Sequence, residues 1–302
     1  MGILPVGSAV QQAVKRRGSS VMVKSMLVAM ALAVFTVSVQ AAETACPQHF
    51  LDGVPPRLIN EKLTAKTREL CNAGYAVLHS GITRTGLWSA EHLTRERLDQ
   101  QRGLERKNTF HAELRLPADE RAELADYARS GYDRGHMAPS GDMPDQVSQN
   151  ESFSLANMVP QNSNNNRNLW EGIESAVRDL TRKDGEVYVV TGAIFQGQNL
   201  QRIGGRVLVP THLFKAVYDA RQRKAAAYLV TNAEGNEYQR IAIADLAAVS
   251  GIDPFPNLPA SVKTTAMELP QPRPHGKGGK KPAESEPFQE KSVLDFLKQL
   301  LR

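Results

Sequence analysis

Histidine, arginine, asparagine and glutamate fall together in one stretch of this 302-residue chain. Tyr132 to Met143 reads YDRGHMAPSGDM, Ser152 to Gln161 reads SFSLANMVPQ, and Asn162 to Glu174 reads NSNNNRNLWEGIE. These residue types answer the needs of phosphodiester hydrolysis. Attack by water on phosphorus requires a base active near neutrality, a cation to absorb charge developing on the phosphoryl and leaving oxygens, and donors that orient the phosphate. A histidine of ordinary pKa, about 6.5, is largely neutral at pH 7 and can take the proton. His136 is the histidine with this setting. His49 and His275 fall in an expected arm and tail, His79 and His212 in expected strands, and His92 and His111 among charges.

Asn166, Trp170, Glu174 and Arg178 are four residues apart, so a helix starting near Asn166 places them along one drifting stripe. Asn166 then presents an amide oxygen and Glu174 a carboxylate about two turns later. One direct side-chain ligand suits magnesium, which keeps several waters, with Mn2+ as the candidate substitute. Glu174 would bind those waters and accept a hydrogen bond from Arg178. An exposed ion pair near a helix N-terminus explains the same stripe without a metal, and the upstream histidine is what favours the chemical reading.

The elements that must position these residues read as α+β. Tyr75 to Ser80, 186–195, 206–219 and 224–233 are strand-like, while Glu91 to Arg102 is charged and helix-compatible. Asn168 to Arg182 places Leu169, Ile173, Ala176, Val177 and Leu180 at helical spacing. Ile241 to Val249 reads as a short closing helix. Strands, helix, then strands, without βαβ alternation, favour a mainly antiparallel sheet flanked by helices.

The DRGH signature at Asp133 to His136, its continuation MAPSGDM, the LANMVPQ strand at Leu155 to Gln161 and the N-x-x-x-W-x-x-x-E helix from Asn166 to Glu174 resemble the DNA/RNA non-specific endonucleases of the ββα-metal (His-Me finger) class, the group that includes endonuclease G. The resemblance extends loosely from Tyr75 to the GIDPFPNLP closure at 251–259. It implies that His136 is the general base, Asn166 the protein ligand of a hydrated magnesium ion, and Glu174 the holder of its water shell. Arg134 and Arg178 match arginines beside the scissile phosphate, although an ion pair with Glu174 also explains Arg178. Asp133 reads as a brace for the loop. An upstream phosphate-contacting arginine is expected as well, with Arg106 in ERKNTF the candidate and Arg102 or Arg115 the alternatives. DNA and RNA are the implied substrates, because phosphate and metal contacts carry no base information. Dimers occur in the resembled family, so a homodimer is a candidate assembly.

The expected divisions are a signal peptide at 1–41, an arm at 42–74, the nuclease domain at 75–266, a Pro/Gly/Lys-rich linker at 267–290 and an amphipathic C-terminal helix at 291–302. Basic residues through Lys24 precede the apolar run Met26 to Val39, which ends at Val39-Gln40-Ala41, a small-residue cleavage pattern. Fourteen apolar residues are fewer than the roughly 20 that span a bilayer, so no stable membrane insertion is expected after processing. A secreted or periplasmic location follows, and with it a Cys46–Cys71 disulfide in place of two buried thiols. The formal charge is +5, of which +4 lies in residues 1–41, leaving +1 on the remainder. Any polyanion is therefore held by a local patch. Two rival readings remain at this level: a non-catalytic nucleic-acid binding or DNA-uptake protein on the same fold, and a phosphodiesterase of small molecules or lipids.

Overall fold

The computed structural model describes residues 44–273 and the backbone of Gln289–Glu290. The signal peptide expected at 1–41, most of the linker and the helix expected at 291–302 lie outside the described residues. No helix among the described residues is long and apolar enough to cross a membrane.

In chain order the principal elements are strands β1 (Thr67–Cys71), β2 (Ala76–Ser80) and β3 (Thr85–Thr94), helix α1 (Arg95–Gln100), strand β4 (Tyr132–His136), helix α2 (Gln146–Ser152), strand β5 (Met158–Asn162), helix α3 (Glu171–Asp184), strands β6 (Glu186–Ile194), β7 (His212–Asp219), β8 (Lys224–Thr231) and β9 (Glu237–Ile241), and helix α4 (Ile243–Ser250). The central sheet runs β9-β8-β7-β6-β3-β2-β1, and these neighbours are all antiparallel. The backbone of Gln289–Glu290 adds a short parallel pairing outside β9.

Alternation along the strands sorts the core into two layers. Trp88 and Ala90, Val190 and Ile194, Phe214 and Ala216, and Ala225 and Ala227 face one side, where Phe50, Ile243, Leu246 and Phe255 cover them. Leu93, Val187, Val189, Leu213 and Val217 face the other. There Leu169, Trp170, Ile173 and Val177 of the helical segment, with Met137 and Val159 of the β4–β5 region, complete the layer. The second layer therefore joins the candidate histidine loop and helix to one rigid platform.

Three expectations are corrected. Glu91 to Thr94 continues β3, because Glu91 and Leu93 pair in register with Val189 and Val187 of β6, and that pairing outweighs the charged composition. The helix starts at Arg95, capped by the Thr94 hydroxyl, which accepts from the Arg97 N–H at 3.2 Å. Residues 206–219 divide at Pro210, which has no N–H to give to a ladder: Val207–Leu208 pair with Arg202–Ile203, and β7 begins at His212. A boundary at Tyr75 cuts the sheet, since β1 is its edge strand and Cys46 and Phe50 enter the core. Met267 is likewise buried, at the start of the expected linker. Strand β9 had not been anticipated.

Cys46 and Cys71 form a disulfide across a Cα separation of 5.8 Å, tying the N-terminal segment to the end of β1. Glu69 lies close to both sulfurs, but these are bonded to each other and offer no thiolate to a metal.

Candidate active site

Strands β4 and β5 form an antiparallel hairpin in which Asp133 opposes Gln161 and His136 opposes Met158. Gly135 is required there, because a Cβ on it would lie 2.0 Å from Oε1 of the buried Gln161. Beyond the histidine, the fully buried Asn157 fixes the chain. Its Nδ2 donates to the carbonyls of Ala138 and Ser152, each at 2.8 Å, and its Oδ1 accepts from the Ala138 N–H at 2.9 Å. The loop bearing His136 is thus held by main-chain contacts on both sides.

His136 lines a cavity of about 460 Å³ together with Arg106, Phe110, Asp133, Arg134, Asn166, Arg167, Glu171, Glu174 and Arg178. A larger groove, about 770 Å³, runs beside α3 and residues 268–273 and contains none of the motif residues except the helix's own outer face. The imidazole is 9% exposed. It packs edge-on against Phe153 with centroids 5.0 Å apart and lies 5.7 Å from Phe110. Its Nε2 is buried and has no hydrogen-bond partner in the protein. Burial first, and then the charges of Arg106 and Arg134, drive its pKa down to about 3. The ring is therefore neutral throughout the physiological range, with a nitrogen lone pair available.

On the opposite wall the Asn162 side chain caps the helical segment, accepting from the N–H groups of Asn164 and Asn165. Asn166–Trp170 then forms one π-helical turn before α3. A π-turn spaces its contacts at five residues instead of four. Glu171, not Trp170, accordingly follows Asn166 into the cavity, and Trp170 turns into the core at 1% exposure. The single stripe expected from four-residue spacing is corrected in this way, although Asn166, Glu174 and Arg178 still meet in one cavity.

Asp133 ties the two walls together. It accepts from Asn166 Nδ2 at 3.0 Å, from Ser163 Oγ at 2.9 Å, and bidentately from Arg167 Nε and Nη2 at 2.8 and 2.7 Å. Burial would raise its carboxyl, but these donors outweigh burial and hold it below the ordinary range. With the amide nitrogen of Asn166 committed, its oxygen is the atom left for a cation. Glu174 is raised to about 7 by burial, opposed by Lys215 and Arg178. An amide oxygen and a nearby carboxylate are hard donors of the kind magnesium takes, so the residues fit a hydrated divalent ion.

The expected hydrogen bond from Arg178 to Glu174 is replaced by others. Arg178 donates to Asp142 Oδ1 at 2.9 Å and to Ser175 Oγ at 2.8 Å, and influences Glu174 through its charge. Asp142, 2% exposed in the MAPSGDM segment, is an anchor that sequence reasoning missed. Arg134 stacks over Phe110 at 4.0 Å, and Arg106 lies 5.5 Å over Phe153. Of the upstream arginines, Arg106 lines the cavity, whereas Arg102 pairs with Asp99 and Arg115 with Glu113. Arg167 and Asn157 were also missed. Adjacency to a motif aspartate could have suggested the first, but no sequence signal separates Asn157 from its neighbours.

Residues 55–261 match the profile of the family described as DNA/RNA non-specific endonuclease. Endonuclease G, mitochondrial, of Bos taurus is 32% identical over 246 residues, covering 75% of this chain and 82% of that protein. A nuclease of Nostoc sp. is 30% identical over 234 residues, covering 72% and 84%. Nuclease 1, mitochondrial, of Schizosaccharomyces pombe is 38% identical over 159 residues; the chain spans about half the length of that relative and of others like it. A crystal structure of an EndoG/EndoGI complex superposes with a TM-score of 0.60 at 26% identity, covering 70% of this chain and 92% of that one. With its antiparallel sheet and hairpin-plus-helix site, the chain belongs to the DNA/RNA non-specific endonuclease family and has the ββα-metal nuclease fold.

Proposed function

We propose that the protein is an exported, magnesium-dependent endonuclease that hydrolyses phosphodiester bonds of DNA and RNA without base specificity. The observation that carries this reading is the placement of the His136 imidazole, held neutral by burial and two nearby arginines, in one cavity with the Asn166 amide and four arginines in all. His136 takes the proton of the attacking water. Arg106 and Arg134, each steadied on an aromatic ring, receive the phosphate; its negative charge offsets the two cations that depress the imidazole, so substrate binding makes the base stronger. Asn166 would hold the ion through its oxygen and Glu174 would accept hydrogen bonds from the ion's waters, and the ion, when bound, would supply charge stabilisation at the phosphoryl and leaving oxygens. Asp133 keeps the Asn166 amide oriented, and Arg178, fixed on Asp142, completes the positive lining.

Support for export comes from the basic leader and apolar run at the N-terminus and from the disulfide, which persists in oxidising compartments. N-terminal sequencing of the protein recovered from the cell exterior or periplasm tests it; an uncleaved, internal chain would refute it. The catalytic reading is tested by a gel assay on plasmid DNA and on RNA with magnesium and with EDTA. Degradation of both, abolished by chelation, is expected. Binding of nucleic acid without cleavage would instead establish the non-catalytic alternative.

A further inference from the structure

The sheet face beneath α3 is largely apolar in its central strands, and a polar line crosses it. Register sets Ser89 of β3 opposite Thr191 of β6, and Thr191 opposite Lys215 of β7. Two hydroxyls and an ammonium therefore form a row across three adjacent strands, with Glu91 two residues further along β3. All four are at most 1% exposed. Their neighbours in the same files, Leu93, Val189, Ala193, Leu213 and Val217, are core residues.

A buried ammonium carries a large desolvation penalty, and a leucine or methionine would fill the same space without it. What the charge gains is a set of contacts that an apolar side chain cannot make. Lys215 Nζ donates to Thr191 Oγ1 at 2.6 Å and to the Met137 carbonyl at 3.4 Å, and it lies 5.5 Å from the centroid of the Trp170 ring. Met137 directly follows His136. Trp170 ends the π-turn, midway between Asn166 and Glu174. One group thus touches the loop carrying the base and the helix carrying the expected metal ligand, from below and out of reach of substrate.

We propose that Lys215 is a positioning residue for the reaction: anchored on Thr191, its ammonium joins the carbonyl after His136 to the face of Trp170 and sets the separation between base and metal-binding helix. This assignment rests on the nuclease reading above. The polar row supports it, since Glu91, fully buried with neither carboxylate oxygen hydrogen-bonded to protein, lies in the field of the same ammonium. The charge of Lys215 also opposes the burial that raises Glu174.

The test is Lys215→Met in the full chain, with wild type in parallel. At saturating magnesium and DNA, kcat is expected to fall about 10- to 100-fold with KM within about twofold of wild type, as for a displaced base. Hydrogen–deuterium exchange, which needs no activity, should rise in residues 134–140 and 163–172 and stay unchanged in β6, β7 and β8. Wild-type kcat in the variant, or exchange rising throughout the sheet, would overturn the assignment. Should Lys215→Met fail to fold, Thr191→Val, which removes only the hydroxyl that receives the ammonium, takes its place. A several-fold loss of kcat at constant KM supports the proposal, and full activity overturns it. If wild type itself cleaves nothing, the nuclease reading fails and exchange still decides the clamp. If wild type cleaves and Lys215→Met cleaves equally, only the role of Lys215 fails.

Discussion

Asn166 gives its amide nitrogen to Asp133 at 3.0 Å, and that one bond decides which end of the amide faces the cavity. Asp133 lies in the hairpin and Asn166 in the π-turn, so the same contact also links the two walls at the cavity. Asp133→Ala should release both the amide and Arg167. The magnesium concentration for half-maximal cleavage is expected to rise about 10-fold, the scale of an outer-sphere partner, and to rise further in Asn166→Ala. A metal titration of cleavage rate checks this, and an unchanged midpoint in Asn166→Ala removes that residue as ligand.

His136→Ala should reduce the cleavage rate about 10³-fold at saturating DNA and magnesium, within the range of general-base catalysis, while circular dichroism stays native. Folding also responds to this ring. The folded protein keeps His136 neutral down to about 3, whereas the unfolded chain protonates near the ordinary 6.5, so wild type loses stability as pH falls through that window. The variant should lose less on acidification. Residual activity near wild type would discard His136 as the base.

Glu174 gives an opposite pH signature. Its folded carboxyl is raised to about 7 from the ordinary 4.5, so between those values the folded state retains a proton that the unfolded chain has released. Stability contributed by this group therefore falls as pH rises through the window, and the penalty is complete above it. Glu174→Gln, which is neutral, should melt higher than metal-free wild type at about pH 8 and nearly the same at about pH 4. Calorimetry at the two values is the check, and equal shifts at both would show that burial of the charge is not the cause.

Cleavage should weaken with salt, because phosphate contacts release counterions from nucleic acid. With Arg106, Arg134, Arg167 and Arg178 around the cavity, the logarithm of affinity should decline linearly against the logarithm of salt, and Arg106→Ala should make the slope shallower by about one. An unchanged slope would place Arg106 off the phosphate path.

Breaking the Cys46–Cys71 link, by Cys46→Ser with Cys71→Ser, opens a loop of 25 residues' separation and should cost about 3 kcal/mol in the chain-entropy account, read by urea melts. Specific activity of the folded fraction should be unaltered, since the bond lies at β1, outside the cavity lining.

Much of the site was legible because DRGH, Asn166 and Glu174 are close in sequence and local geometry brings them together. The ββα order followed from the family resemblance that the same stretch carries. What escaped is long-range. Asp142 acquires its meaning from Arg178, 36 positions away, and Arg106 is separated from Arg102 and Arg115 by lining the cavity while the other two are held by carboxylates. Glu91 to Thr94 looked helical because charge pattern is local, whereas pairing with β6 is not. The π-turn is equally silent: backbone hydrogen bonds one residue longer leave no mark on residue type.

That widened turn has a consequence for altering the protein. Successive residues of a regular helix are rotated by about 100°. Removing one residue between Asn166 and Trp170 would let the turn close as a regular helix, and Glu171, Glu174 and Arg178 would then follow Asn166 at four, seven and eleven positions, still on one face. The widened turn thus absorbs one residue without turning α3 away from the cavity, whereas one more residue with no second widening would rotate Glu174 and Arg178 by about 100°.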